Sequence, residues 1–167
     1  MKKIIATVAL SLISCSAVAE GFIGLGYAPS AKGGIIDGYT FEKTNYLTVI
    51  YAKTPEQELG VDWYIGGGMT VNLVDSSGSS NFHYSYTIMN VGATTKVTER
   101  IYGYAGVGYS IASGEYKSFG QTMQTKNTNS GSNLNGGIIF QITDSFGAWV
   151  NYDTAPGALG FGIAKKI

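Results

Sequence analysis

One cysteine, one histidine and three prolines stand in a chain of 167 residues, and past residue 20 no apolar run is long enough for a membrane-spanning helix. A single Cys excludes a disulfide framework and a Cys-rich zinc site. A single His excludes a multi-histidine metal site and leaves little room for imidazole chemistry, so no metal or cofactor is expected. The 11 basic and 11 acidic residues balance, which leaves no general basic field for nucleic acid. Gly66-Gly67-Gly68 and Gly103-x-x-Gly106-x-Gly108 open no helix, so the mechanism by which glycine-rich loops cradle phosphates is absent.

Against these absences stand 24 Gly and 12 Tyr, with charged residues at only 13%, an odd mixture for a soluble helical domain. Lys2 and Lys3 precede an apolar run from Ile4 to Ile13, then Ala17-Val18-Ala19 before Glu20. This is the layout of a secretory signal, residues 1–19, cleaved after Ala19. Leu12-Ile13-Ser14-Cys15 also resembles a lipobox, the alternative processing site. Cleavage after Ala19 leaves one domain, 20–167, with nine basic residues against eleven acidic and no Cys.

No segment of that domain sustains a helical i, i+3, i+4 pattern. Alternation at period two recurs instead, punctuated by Gly/Ser/Asn/Asp clusters. It predicts eight strands, at about 21–28, 45–52, 58–70, 82–97, 101–113, 134–142, 146–153 and 158–167. In the fourth, Met89, Val91, Ala93 and Val97 oppose Asn90, Gly92, Thr94 and Lys96; in the seventh, Ala148, Val150 and Tyr152 oppose Trp149, Asn151 and Asp153. The connections at 53–57, 98–100 and 143–145 are tight, whereas 29–44, 71–81 and 114–133 are long and polar; 154–157 is a short exception. An even strand number with short turns on one side and longer loops on the other describes an all-β, eight-stranded antiparallel transmembrane barrel of up-and-down meander order.

Alternation alone does not say which face meets lipid. Three features turn the apolar face outward: the export signal, a second face too rich in Gly, Asn, Thr and charge for an oily core, and aromatic residues recurring near strand ends. Tyr27, Tyr46, Tyr51, Trp63, Tyr84, Tyr86, Tyr109 and Tyr152 are the candidate interfacial girdle. Closure follows because open edges in hydrocarbon leave main-chain groups unpaired. Eight strands enclose a lumen that side chains nearly fill, so no wide pore is expected. Symmetric pairing of the third and fourth strands about residue 77 sets Glu58 opposite Lys96, with Asp62 one pleat above; these and Asn90 are the candidate lumen polar network. The phase of the fifth strand stays open. A three-residue turn at 98–100 sends Tyr102 and Tyr104 inward, and a two-residue turn at 99–100 reverses this.

Val91-Gly92-Ala93-Thr94, the run Ile101-Tyr102-Gly103-Tyr104-Ala105-Gly106-Val107-Gly108-Tyr109 and the ending Leu159 to Ile167 resemble OmpX-like and opacity-type outer-membrane proteins. The resemblance implies a monomer in the outer membrane of a Gram-negative bacterium, in contact with membrane lipid, lipopolysaccharide and the barrel-assembly machinery. It also implies a structural or surface-interactive role: envelope integrity, adhesion or host-factor binding. The terminal signal departs from that family, with Lys165 and Ile167 where an apolar and an aromatic residue are usual. The loop at 114–133 is the candidate contact for a host or surface protein.

Two other classes stay in view. His83 and Ser85 share a strand face, similar to the His-x-Ser of eight-stranded lipid A deacylases, in which His activates a Ser nucleophile and an acid orients the His. Tyr86 replaces the Asn that follows in those enzymes, and the next acid, Glu99, falls at the opposite membrane side, so the chain is expected not to be an enzyme. A narrow channel for small solutes is the third class.

Overall fold

A computed structural model of the chain describes residues 20–31, 35–36, 39–40, 44–70, 82–118, 121–124 and 129–167. The leader read at 1–19, with Cys15 and the cleavage site, lies outside them, as do 71–81 and parts of the 29–44 and 114–133 connections. Eight long strands form the wall: β1 (Gly21–Ala31), β4 (Thr44–Lys53), β5 (Val61–Thr70), β6 (Phe82–Thr98), β7 (Ile101–Ser118), β9 (Asn129–Gln141), β10 (Phe146–Asp153) and β11 (Ala158–Lys166). Three short strands decorate the connections: β2 (Ile35–Ile36) and β3 (Tyr39–Thr40) pair with each other, and β8 (Gln121–Gln124) pairs with β7.

The wall is ordered β6-β5-β4-β1-β11-β10-β9-β7, every pair antiparallel, and the β6–β7 pairing closes it. The first and last strands meet from Phe22↔Lys166 to Tyr27↔Phe161. The seam extends to the last residue, where the Ile167 amide donates to the Gly21 carbonyl at 2.9 Å and the Gly21 amide to the Ile167 carbonyl at 3.2 Å. No edge of the wall is left open, as an apolar surround demands.

Alternation sorts the side chains as the sequence implied. Leu25, Met89, Val91, Val107, Leu134, Ile138, Phe140, Val150, Phe161 and Ile163 are exposed on the outer face, Val91 at 56%. The lumen is not merely glycine and hydrophilic groups. It holds two apolar clusters, one around Tyr46, Tyr86 and Ile88, the other around Phe22, Tyr64, Tyr102, Tyr104, Ile139 and Trp149. Inward glycines make the space for these rings. A Cβ at Gly92 would stand 2.6 Å from the Tyr64 ring, and one at Gly106 would stand 2.5 Å from the Tyr64 hydroxyl.

The open question of the fifth strand resolves in an unexpected way. The turn at Glu99 and Arg100 is the two-residue one, since Thr98 pairs with Ile101. Yet Tyr102 and Tyr104 face inward, because the register slips between Lys96 and Thr98. A bulge adds one unpaired residue, Val97, and so restores the phase that the shorter turn would have inverted. At the other end β7 runs to Ser118, beyond the expected end at 113, and doubles back through Ser118↔Gln121 into β8.

Candidate functional site

Asp153 ends β10 with its side chain in the lumen, 1% exposed, and the closed wall brings four amides around it. Its Oδ1 accepts from Asn133 Nδ2 at 2.7 Å, Asn90 Nδ2 at 3.0 Å and Asn135 Nδ2 at 3.1 Å, and its Oδ2 accepts from Asn151 Nδ2 at 2.8 Å. A carboxylate removed from water is tolerable only when its lone pairs are bound, and here neutral amides bind them.

The orientation of those amides is set by the main chain. The Ala155 amide donates to Asn133 Oδ1 at 2.8 Å, which commits Asn133 Nδ2 to face Asp153 and Asn90 Oδ1, the latter at 2.8 Å. The same residues hold the β10–β11 turn over the lumen: Thr154 exchanges bonds with the main chain of Leu134, and Pro156 is fully buried. Tyr64 donates to Asn135 Oδ1 from the inner side, joining the polar layer to the lower aromatic cluster. Beside it lies a cavity of about 10 Å³ lined by Thr48, Tyr64, Asn90, Tyr104, Asn135 and Trp149, room for about one water. The hydroxyls of Tyr46 and Tyr104 and the Oδ1 of Asn151 are buried without a partner among the described residues.

Of the expected lumen network, Asn90 joins this layer. The Glu58–Lys96 pair does not form. Val61 pairs with Thr95, where the assumed symmetry puts Ala93, so the register is shifted by two residues, and Glu58 is exposed in the β4–β5 turn. Asp62 takes Lys53 instead, Nζ to Oδ2 at 3.0 Å. The signal for the missed members is the phase of β9 and β10, where Asn133, Asn135, Asn151 and Asp153 all take inward positions; Asn133 falls at the end of the 114–133 connection expected from the sequence, and β9 begins before it.

The expected girdle divides. Tyr109 and Tyr152 are exposed on the outer face, and Tyr27 is half-buried on the same phase as Leu25. Tyr51 also takes an outward position and is covered by Trp63, ring centroids 5.3 Å apart. Tyr46 and Tyr86 are corrections: both are buried in the upper lumen cluster, because even positions of β4 and β6 point inward. The side chains of Tyr84 and His83 lie outside those described; the β6–β7 register pairs Tyr84 with Gly114, His83 with Glu115 and Ser85 with Ser113.

Several solved structures share this architecture. The crystal structure of Ail, the attachment invasion locus protein of Yersinia pestis, matches with a TM-score of 0.64 at 19% identity, over 89% of this chain and 99% of that one. A second structure of Ail, in complex with the heparin analogue sucrose octasulfate, gives 0.63 at 20% identity, over 89% and 98%. Neisserial surface protein A gives 0.56 at 12% identity, over 88% and 97%. A de novo designed transmembrane β-barrel gives 0.51 at 15% identity, over 89% and 97%. At such identities the likeness is one of fold, and a designed barrel among the matches makes the same point. No family model and no curated protein matches the sequence. The chain is thus a closed eight-stranded antiparallel barrel with the fold of small transmembrane outer-membrane proteins, consistent with the OmpX-like resemblance of its sequence.

Proposed function

We propose that this chain is an occluded outer-membrane barrel that acts at the cell surface, binding a protein partner through its outer connections rather than conducting solutes or catalysing a reaction. The observation that carries the reading is the β7–β8 ribbon. β7 continues past the wall to Ser118, and β8 pairs only with β7 among the described residues, leaving its far main-chain edge at 121–124 open. Such an edge accepts an added strand. The filled lumen, with its amide-bound Asp153 and aromatic clusters, supports the absence of a wide pore.

Charge bears on the kind of partner. The outer connections carry four lysines, Lys32, Lys43, Lys117 and Lys126, against four acids, Asp37, Glu42, Asp75 and Glu115. Ail was crystallised with a sulfated heparin analogue; the balanced outer connections of this chain carry no net charge to draw a polyanion. Deleting 119–128 should abolish adhesion of expressing bacteria to host cells while the unboiled protein keeps its folded gel mobility. Unchanged adhesion would remove the ribbon from the function. Isothermal titration with sucrose octasulfate should show no binding.

The β6–β7 register favours one second reading. It sets Glu115 opposite His83, an acid that chain order had not brought near, beside Ser85. Serine, histidine and an orienting acid are the parts of an acyl hydrolase. Mass spectrometry of lipid A from cells carrying the native chain, Ser85→Ala or His83→Ala tests it: an acyl chain lost only with the native protein would establish the enzyme.

A further inference from the structure

The β4–β5 turn at the periplasmic rim holds Leu59 at a φ of 58°, the one non-glycine with positive φ among the described residues. Left-handed backbone suits Gly or Asn and crowds a larger side chain. Leu59 is also 78% exposed, and Val61 next along the same phase is 72% exposed. Two unfavourable features thus coincide at one residue: a disfavoured backbone and a large apolar group directed away from the protein. The main chain fixes it there, with the Leu59 amide donating to the Lys96 carbonyl at 2.8 Å and the Gly60 amide to the Gln57 carbonyl at 3.0 Å.

Position supplies the explanation. Leu59, Val61 and Trp63 continue the outward phase of β5, and the bond to Lys96 sets the turn beside Val97, itself exposed on the outer face. Exposed apolar positions therefore continue past the end of β5, with Thr95 as the polar neighbour paired with Val61. Across the barrel exposed apolar side chains also reach the strand ends, at Ile142 and Phe146, but the turn between them carries none. The β9–β10 turn presents Thr143, Asp144 and Ser145 to solvent, and Lys165 stands between Ile23 and Phe146 on the outer phase.

We propose that Leu59 is a lipid anchor, its side chain seated among phospholipid acyl chains of the periplasmic leaflet, so that the barrel sits deeper on its β5–β6 side. Lipid is the occupant because the patch is continuous with the lipid-facing belt. The inference rests on the membrane placement proposed above, and the experiment separates the two. Nitroxides at positions 59, 91 and 144, each in a Cys15→Ser background, are compared in phosphatidylethanolamine/phosphatidylglycerol vesicles holding no other protein. Position 59 should collide with oxygen rather than with a water-soluble nickel complex, as position 91 does and position 144 does not. Water contact at 59 with lipid contact at 91 overturns the anchor alone; water contact at 91 overturns the placement itself. A second variant tests the sign. Leu59→Asn keeps the left-handed turn at lower strain. It should lower the urea midpoint in vesicles if lipid holds the side chain, and a raised midpoint would show that Leu59 is only a strained, exposed residue.

Discussion

Along β6, Met89 and Val91 point outward while Ile88, Asn90 and Thr94 point into the lumen, and the two faces obey different rules. The outer face is a band of separate apolar side chains whose common requirement is hydrocarbon. The inner face is a set of specific contacts. Asn90 is bound to Asn133 and Asp153, while Tyr64 and Tyr104 meet edge-on at 5.0 Å. One alternation produces both. A change on the outer face should therefore act through its solvent, and one on the inner face through its neighbours.

The largest effect is expected at Asp153. Asp153→Ala removes the acceptor shared by four amides, of which only Asn133 keeps another, Asn90 Oδ1, and unfolding by urea in vesicles should show a loss of about 3–5 kcal/mol. Asp153→Asn, which keeps one acceptor oxygen, should lose less. Equal, small losses would mean that the polar layer does not hold the inner face together. Next comes Val91→Arg, a cation on the outer face near the middle of β6, which should cost about 2–4 kcal/mol in vesicles. A loss under about 1 kcal/mol would place that face in water and erase the contrast. The smallest effect sharpens the comparison. Tyr46→Phe removes a buried hydroxyl that has no partner among the described residues, so stability should stay level or rise by up to about 1 kcal/mol. A clear loss would reveal a bound water at that hydroxyl.

Much of the wall was legible because it depends on neighbours in the chain. The strand at 146–153 was read with its final bounds, and the opposition of Val150 and Tyr152 to Asn151 and Asp153 needed only the pleat. The girdle was less legible. Tyr46 and Tyr51 have the same β-propensity and lie five residues apart, yet one is a core residue and the other stands outward under Trp63. Recurrence of tyrosine signals a barrel without saying which tyrosines reach the interface, since the lumen also uses rings to fill its volume. The Glu58–Lys96 expectation failed on a two-residue shift of register, which keeps every side chain on its face and still moves both charges out of one pairing.

The sequence by itself determined eight amphipathic strands, their relative faces and the tight turns on one rim, because a period of two is a property of each strand alone. Only closure decided the rest. The bulge at Val97 sets the phase of β7 after a turn that would have reversed it, and phase across a turn belongs to the pair of strands rather than to either sequence. Asn90 meets Asn133 across 43 positions and Asp153 across 63, and nothing in the intervening chain encodes that meeting. It exists because eight tilted strands leave so narrow a lumen that inward side chains from facing strands must satisfy one another.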